Sequence, residues 1–350
     1  MIKTAYLSDI LRLEIDKQWS RSDSSEERCL IRFLLALIQE TPFEMEDRRL
    51  LNSGRFYEKL SFSEQFVHAL NILFVLDPLI EKRVFQSEYI IPEVNDFIFS
   101  RSTRLIAAHR YDFNNGATGL MFYLKSCGTE QVEEMKLNFV NGIRAYLEGK
   151  AYQVHSAPQN QLSHIADTLF GLYFNNEHYD QQREENLIQV IDLCFDALFS
   201  FWEDVNIEEY KYLFFGKHPE NATLTDLLNW KEGDLQKSNI ILAYSIFKNN
   251  KTLYRTGLLV GLHTLILPSL LKDDIDSYDF QHGALGLLYG YNALYDFTGD
   301  VKFLEASKAW QSKLEVNLYN AISLEGKFDI KAKIDLLTCY AFLLHKSSGS

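Results

Sequence analysis

"YDFQHGALGLLYGYNALYDFTGD", from Tyr278 to Asp300, is nearly repeated by the earlier segment "YDFNNGATGLMFYL", from Tyr111 to Leu124. Residues 111–120 and 278–287 are identical at 7 of 10 positions, at an offset of 278 − 111 = 167. Agreement of this extent indicates an internal repeat, and therefore a fold built by stacking one supersecondary unit several times.

Three looser copies of this phrase occur elsewhere in the chain. They are "QLSHIADTLFGLYF" from Gln161, "NWKEGDLQKSNIILAYSIF" from Asn229 and "KIDLLTCYAFLLH" from Lys333. Together the five copies predict helix starts near residues 116, 165, 233, 283 and 338. Most successive starts lie about 50 residues apart, which is room for two helices and two connections.

The helices of the repeat differ in polarity. The segment "GALGLLYGYNALY" is apolar nearly all round, which predicts a buried helix, whereas 183–202 and 301–319 place apolar residues on one face only. Alternating buried and half-exposed helices predict an all-α fold, and we expect an α/α toroid with six- or seven-fold repetition. A straight α-solenoid satisfies the same alternation, but inner helices that are apolar on every side favour a closed ring.

The first hundred residues also carry helical patterns. Residues 24–40 begin with a capping box, Ser24 followed by Glu27, and residues 61–82 continue with a second helical segment. We interpret residues 1–100 as N-terminal hairpins that match the repeat weakly, and residues 101–350 as the repeats proper. Because no Ser/Gly-rich linker is visible, we predict a single domain over 1–350.

Composition excludes several classes of function. The 350 residues are 47% hydrophobic and carry a formal net charge of −13. No cluster of basic residues is present, which argues against nucleic-acid binding. The longest apolar run, 257–271, is short for a membrane span and contains His263 and Pro268, so we expect no membrane span. Four scattered cysteines and no secretory signal indicate a cytoplasmic protein with reduced thiols.

Two glycines of each copy lie three residues apart, on one face of the predicted helix: Gly116 and Gly119, then Gly283 and Gly286. Glycine inside a helix costs roughly 0.5–1 kcal/mol relative to alanine, so another interaction must offset the cost. We expect that offset to come from helix N-termini converging on a central mouth. Asp112 and Asp279, one turn earlier, suit the capping of these helices.

These segments resemble lanthionine synthetase C-like proteins, the lanthipeptide cyclases. "QHGALG" followed by "YDFTGD" is similar to their "CHGxxG…YxxTGD" segment, and "NWKEGD" to "WCYGxxG". "LSHI" is similar to their "HG" segment and "YDFNNGATG" to "DxxxGxxG", so the four agree in order from about residue 100 onward. The resemblance implies an α/α toroid in which zinc, held by two Cys and one His, activates a peptide cysteine for addition to a dehydrated Ser or Thr. A precursor peptide, and a dehydratase or another biosynthetic protein, are the implied partners.

The zinc ligands of that family are mostly replaced in this chain. Lys231 and Gln281 fall at the two cysteine positions, and His282 keeps the third ligand position. A lysine ammonium has no lone pair to donate, and a neutral glutamine carbonyl is a poor zinc ligand. We therefore expect no zinc, while Asp112 and His164 keep the family's proton-handling positions.

The leading hypothesis is a peptide-binding partner or pseudoenzyme of lanthipeptide biosynthesis. Its candidate catalytic residues are Asp112, His164 and His282. Its candidate peptide-binding residues are Trp230, Lys231, Glu232, Asp234 and Gln281.

Three alternatives stay open from the sequence. One is a carbohydrate-active or other metal-free enzyme that uses the carboxylates of Asp112, Glu232 and Asp234. Another is an active cyclase with a rebuilt metal site drawn from His164, Glu232, Asp234 and His282. The third assigns these side chains to packing and capping alone.

Overall fold

The computed structural model is helical throughout the part of the chain that it describes. The described residues are 4–20, 25–41, 60–77, 79–80, 84, 92–113, 116–125, 129–149, 158–174, 181–202, 223–230, 233–271, 274–323 and 328–348. Among them, helices are joined by turns and bends, and no strand occurs. The prediction of an all-α fold is therefore confirmed.

The helices follow the predicted order. Helices α1–α8 are Thr4–Ser20, Ser25–Gln39, Leu60–Leu76, Pro92–Ala107, Ala117–Leu124, Glu130–Glu148, Pro158–Phe174 and Gln181–Trp202. Helices α9–α15 are Leu224–Leu228, Asp234–Phe247, Lys251–Thr264, Leu267–Leu271, Ala284–Thr298, Val301–Ser323 and Ile330–Ser348.

Helix starts match the prediction where a glycine precedes the helix. Gly116, Gly233 and Gly283 are the N-cap residues of α5, α10 and α13. The other two predicted starts are wrong by about two turns, since α7 begins at Pro158 and α15 at Ile330. Proline suits the first position of a helix because its missing N–H is not needed there.

The chain divides into two compact units. The first unit comprises residues 1–9 and 198–326, and the second comprises residues 10–197 and 327–350. In the first unit α10 packs against α11 and α13, and α13 packs against α14. The single-domain organisation stays a prediction, because two compact units can belong to one domain.

One buried cluster of the first unit combines aliphatic side chains with the aromatic rings of Tyr291 and Phe303. Tyr291 of α13 stacks on Phe303 of α14, with ring centroids 6.4 Å apart. Around them pack the buried residues Leu224, Leu227, Leu228, Leu235, Leu242, Leu267, Ile275, Leu287 and Leu294.

In the second unit, the last helix of the chain packs against two of the first. Helix α15 contacts α2 and α3, so residues far apart in sequence are neighbours. The ammonium of Lys333 pairs with Glu27, and Gln39 Nε2 donates to the Tyr340 hydroxyl at 3.2 Å. Ser24, the other member of the predicted capping box, lies outside the described residues.

Elsewhere in the second unit, α5 packs against α3, α4, α6 and α7. Helix α5 is only eight residues long, and seven of them are buried. Its central position agrees with the prediction that the repeated phrase forms a buried helix. None of the helices in the described ranges is long and apolar enough to cross a membrane.

Candidate functional site

Three loops of one design lead into α5, α10 and α13. A Cβ on Gly116 would lie 2.3 Å from the backbone nitrogen of Asp112, four residues earlier. A Cβ on Gly233 would lie 2.6 Å from the backbone nitrogen of Asn229, and one on Gly283 would lie 2.5 Å from the backbone nitrogen of Asp279. Each loop therefore folds back tightly on itself, and only a residue without a side chain fits at its end.

In two of these loops, a backbone hydrogen bond also repeats. Ala117 N–H donates to Arg110 O at 2.8 Å, and Ala284 N–H donates to Ser277 O at 3.0 Å, seven residues back in both cases. The two segments that lie 167 residues apart in the sequence therefore have the same local backbone hydrogen bond. Asn229, which sequence matching did not single out, occupies the place of the two aspartates.

The glycine prediction is corrected by this geometry. Gly116 and Gly283 are N-caps and not interior helix residues, so they carry little of the expected helix penalty. A Cβ on Gly119 would lie 2.0 Å from Phe113 O, and one on Gly286 would lie 1.9 Å from Phe280 O. The nearest obstruction is in both cases the loop's own backbone. At Gly286 the added Cβ would also lie 3.0 Å from Trp230 Cβ, in the loop before α10.

The carboxylate of Asp279 organises its loop instead of capping the helix. Its Oδ1 accepts hydrogen bonds from the backbone N–H groups of Gln281 and His282, both at 2.8 Å. Its Oδ2 accepts a hydrogen bond from the Ser277 hydroxyl. Gly283, the N-cap residue of α13, makes no side-chain capping hydrogen bond. The loop that carries Gln281 and His282 is therefore held by one aspartate.

An aromatic cluster repeats with the loops. Phe113 packs against Phe122 at 5.7 Å, and Phe280 packs against Tyr289 at 5.6 Å between ring centroids. Residues 122 and 289 are again 167 apart, so the pair belongs to the repeated unit. In the first unit, Trp230 completes the cluster.

Trp230 and Tyr289 form a right-angled corner. Their ring centroids are 4.9 Å apart with the planes at 90°, and Trp230 lies 5.9 Å from the buried Phe280. Both Trp230 and Tyr289 are only partly buried, so each leaves ring surface accessible. Gly290 makes room for the indole, because its Cβ would lie 3.3 Å from Trp230 Cε3. This corner is the accessible apolar part of the candidate site.

Acidic groups lie beside His282 in the same unit. The side chain of His282 is 39% exposed, and its Nδ1 lies 3.9 Å from Asp279 Oδ1. Asp226, in the short helix α9, is held ionised by its surroundings. Hydrogen bonds from the Thr223 hydroxyl and backbone N–H lower the pKa of Asp226, and the nearby imidazole of His282 lowers it further.

Asp234, a predicted ligand residue, is almost completely buried. It is 1% exposed, and its Oδ1 lies 3.0 Å from the ammonium of Lys237, which is itself 6% exposed. Its Oδ2 is also buried and has no hydrogen-bond partner within the described structure. The pairing with Lys237 leaves this carboxylate poorly suited to binding a metal ion.

In the second unit, the predicted residues Asp112 and His164 lie on the loop before α5 and on α7. The imidazole of His164 packs on Phe113 at 5.5 Å, and that of His68, from α3, packs on Phe113 at 6.3 Å. Asn71, also on α3, donates from Nδ2 to Gly119 O at 2.7 Å. The sequence did not single out His68, because only packing brings α3 to the glycine loop.

The predicted site residues thus fall into three groups. Asp112 and His164 belong to the second unit, whereas Trp230, Asp234, Gln281 and His282 belong to the first. Lys231 and Glu232 lie outside the described residues.

The residues present do not fit the zinc site that the cyclase resemblance implies. Over the described part of the chain, no group of three His, Cys, Asp or Glu side chains is arranged to hold a metal ion. Cys29, Cys194 and Cys339 are buried, and Cys127 lies outside the described residues. Gln281, at one cysteine position, supplies only a neutral amide.

No protein-family model matches the chain, and no curated protein matches its sequence. The resemblance to the cyclases therefore rests on the sequence motifs alone.

Proposed function

We propose that this chain is a lanthionine synthetase C-like α/α toroid that binds a peptide and does not carry out zinc-dependent cyclisation. The packing of α15 against α2 and α3 supports the ring. A closed ring of hairpins requires contact between the first and last elements of the chain, whereas an open solenoid keeps them apart.

The observation that carries the peptide-binding proposal is the corner formed by Trp230 and Tyr289. Partly exposed aromatic rings next to a few fixed polar groups are the usual composition of a ligand site. Aromatic side chains also supply large contact areas at low conformational-entropy cost, which suits peptide recognition. The adjoining loop offers Gln281 and His282, and Asp279 holds their backbone in place.

The residues at the implied zinc-ligand positions favour peptide binding over zinc-dependent cyclisation. Zinc lowers the pKa of a bound thiol and thereby produces the thiolate nucleophile. Lys231 and Gln281, at the family's cysteine positions, supply no thiolate ligand. His282 alone does not hold a zinc ion with useful affinity, so we derive no catalytic step through a metal. Zinc analysis of the purified protein is expected to show far less than one equivalent.

The peptide-binding proposal is tested with a defined pool of short synthetic peptides. The pool is passed over the immobilised full chain, and mass spectrometry identifies the retained peptides. We expect retention by the wild type and a loss of about tenfold or more in affinity for Trp230→Ala and Tyr289→Ala, since central aromatic residues dominate such interfaces.

Tyr319→Ala is the matched control, because Tyr319 is 45% exposed on α14 of the same unit. Its removal is expected to leave retention unchanged. Failure of every peptide to bind, or equal losses for Tyr319→Ala and Tyr289→Ala, would contradict the proposal. Circular dichroism of each variant checks that the helices are intact.

A further inference from the structure

We infer that Asn317 of α14 is a positioning residue for the loop that carries Gln281 and His282. Its effect on peptide binding rests on the proposed function, and its effect on the loop rests on hydrogen bonds alone. Asn317 lies outside the repeated phrase, and it binds the chain segment from which the loop is built.

The side chain of Asn317 binds this segment at two points. Its Nδ2 donates to Ile275 O at 2.9 Å and to Ser277 O at 3.2 Å. Ser277 O also accepts a hydrogen bond, at 3.0 Å, from the backbone N–H of Ala284, the first residue of α13. One carbonyl oxygen therefore joins the amide of Asn317 to the start of α13.

The same segment is linked to the carboxylate of Asp279. The hydroxyl of Ser277 donates to Asp279 Oδ2, while Oδ1 accepts from the backbone N–H groups of Gln281 and His282. The N–H of Gly283 donates to Asp279 O at 3.1 Å. With the N–H at 284, four consecutive amides of the loop are thus bonded to Ser277 or Asp279.

The loop in turn supports the aromatic corner. Phe280 lies between the residues that Asp279 holds, and its ring packs 5.9 Å from Trp230 and 5.6 Å from Tyr289. A shift of this loop would therefore move a ring that contacts both members of the corner. Sites bind well when the groups that contact the ligand are held in place before it arrives.

The burial of Asn317 indicates that its amide is retained for these contacts. Asn317 is 5% exposed and lies within the 23-residue helix α14, where Leu314 and Leu318 are buried as well. Asparagine is a weaker helix former than leucine, and a buried amide without hydrogen bonds is costly. The carbonyl groups of Ile275 and Ser277 offset that cost, whereas a residue that only packs would need no amide.

A second contact lies one turn earlier on the same face of α14. The ammonium of Lys313 pairs with Asp274, and residues four apart in a helix are neighbours. Asp274 is exposed, so this pair contributes little. The buried amide of Asn317 is therefore the stronger of the two anchors.

Hydrogen–deuterium exchange of the full chain tests this inference, with mass spectrometry and electron-transfer fragmentation to resolve single amides. We expect Asn317→Leu to speed exchange at residues 281–284 by about tenfold or more relative to the wild type. Leucine has a similar volume but no donor, so two carbonyl groups lose their partner and the loop opens more often.

Ser238→Ala is the matched control, because it also removes a buried hydrogen bond of the first unit. The Ser238 hydroxyl donates to Gly257 O at 2.8 Å, between α10 and α11. This variant is expected to leave exchange at 281–284 unchanged. Equal acceleration in Ser238→Ala and Asn317→Leu would overturn the inference, as would wild-type exchange in a folded Asn317→Leu. If Asn317→Leu does not fold, Asn317→Ser makes the same comparison, since serine also lacks the amide.

Ser277→Ala separates the two links in the loop. Ser277 is exposed, and this change removes its hydroxyl but keeps the carbonyl group that Asn317 binds. We expect faster exchange at Gln281 and His282 and no change at Ala284. Acceleration at Ala284 as large as in Asn317→Leu would overturn the inference, because Asn317 would then not hold the carbonyl of Ser277.

The peptide pool measures the consequence for binding. We expect Asn317→Leu to lower the affinity for the retained peptides by about threefold or more, because the loop is no longer held in place. Unchanged affinity in a folded Asn317→Leu would overturn the positioning role and leave peptide binding intact. A wild type that binds no peptide would overturn the proposed function, and the exchange comparison would still decide whether Asn317 holds the loop.

Discussion

A methyl group on Gly286 would stand 1.9 Å from the carbonyl oxygen of Phe280, six residues earlier. The blocking atom belongs to the backbone of the tight loop, so a rotamer change cannot relieve the clash. Gly119 and Phe113 have the same relationship, at 2.0 Å. The glycines of the repeated phrase are therefore required by the loop that each helix follows.

Substitution of either glycine should destabilise the fold. We expect Gly286→Ala and Gly119→Ala to lower the free energy of unfolding by about 1–3 kcal/mol or more, the usual cost of overpacking. Urea denaturation measures this change. Gly171→Ala in α7 is the control: among the described residues, its Cβ would meet only Lys125 Cδ at 3.5 Å, an ordinary contact. That control should be neutral or stabilising by about 0.5–1 kcal/mol, and a loss equal to that of Gly286→Ala would contradict the argument.

The buried pair of Asp234 and Lys237 predicts a strong asymmetry between single and double substitutions. Lys237→Met leaves a buried carboxylate without its cation and is expected to cost about 3–5 kcal/mol of unfolding free energy. Asp234→Leu combined with Lys237→Met removes both charges, so it should cost less than Lys237→Met alone. Chemical denaturation of the single and double variants measures the difference. A double variant less stable than Lys237→Met would show that the unpaired Asp234 carboxylate does not cause the loss of stability.

The ion pair between Asp274 and Lys313 predicts how the stability of the protein changes with pH. The hydrogen bond from Lys313 lowers the pKa of Asp274 in the folded chain. A depressed folded-state pKa contributes stability at neutral pH, and this contribution is lost as the pH falls through that pKa. Lys313→Met should therefore destabilise the protein near neutrality by about 0.5 kcal/mol, as exposed pairs do, and by less in acid.

Thermal unfolding of the wild type and Lys313→Met across the acidic range checks this dependence. Lys308→Met is the matched control, because Lys308 is exposed on the same helix, α14. The stability difference for Lys313→Met should shrink as the pH falls, while that for Lys308→Met stays constant. A difference for Lys313→Met that grows in acid would contradict the assignment.

The buried cysteines should be inert in the native protein. Cys29, Cys194 and Cys339 are each at most 1% exposed. Burial also raises the pKa of the Cys194 thiol, so little thiolate is present at neutral pH. In a Cys127→Ser background, iodoacetamide is expected to modify none of the three before urea is added and all three afterwards. Rapid native labelling of Cys194, located by peptide mass spectrometry, would show that α8 opens readily.

Much of the fold could be predicted from local sequence. The glycines at 116, 233 and 283 predicted helix starts within one residue, because a helix cannot continue back through a loop that closes on its N-cap. The starts of α7 and α15 could not be located in this way. No glycine loop precedes them in the matched phrase, so their helices extend about two turns further back.

The candidate site was predictable in part. The phrase around Phe280 and His282 located the loop, and its resemblance to the cyclases drew attention to Gln281 and His282. Periodicity did not indicate that Asp234 pairs with Lys237, since alternating polarity does not reveal which polar side chain is buried. It also did not place His68 beside Phe113, which lies 45 residues further along the chain.

By itself, the sequence determined that the protein is all-α, that one loop-and-helix unit recurs after 167 residues, and that a lysine stands at 231 and a glutamine at 281. These features depend on local backbone preference and on residue identity. Only the tertiary structure decided that Trp230 and Tyr289 meet at a right angle, and that α15 packs against α2 and α3. Such contacts join distant segments, and they follow from how side chains fill space between helices, which no local pattern specifies.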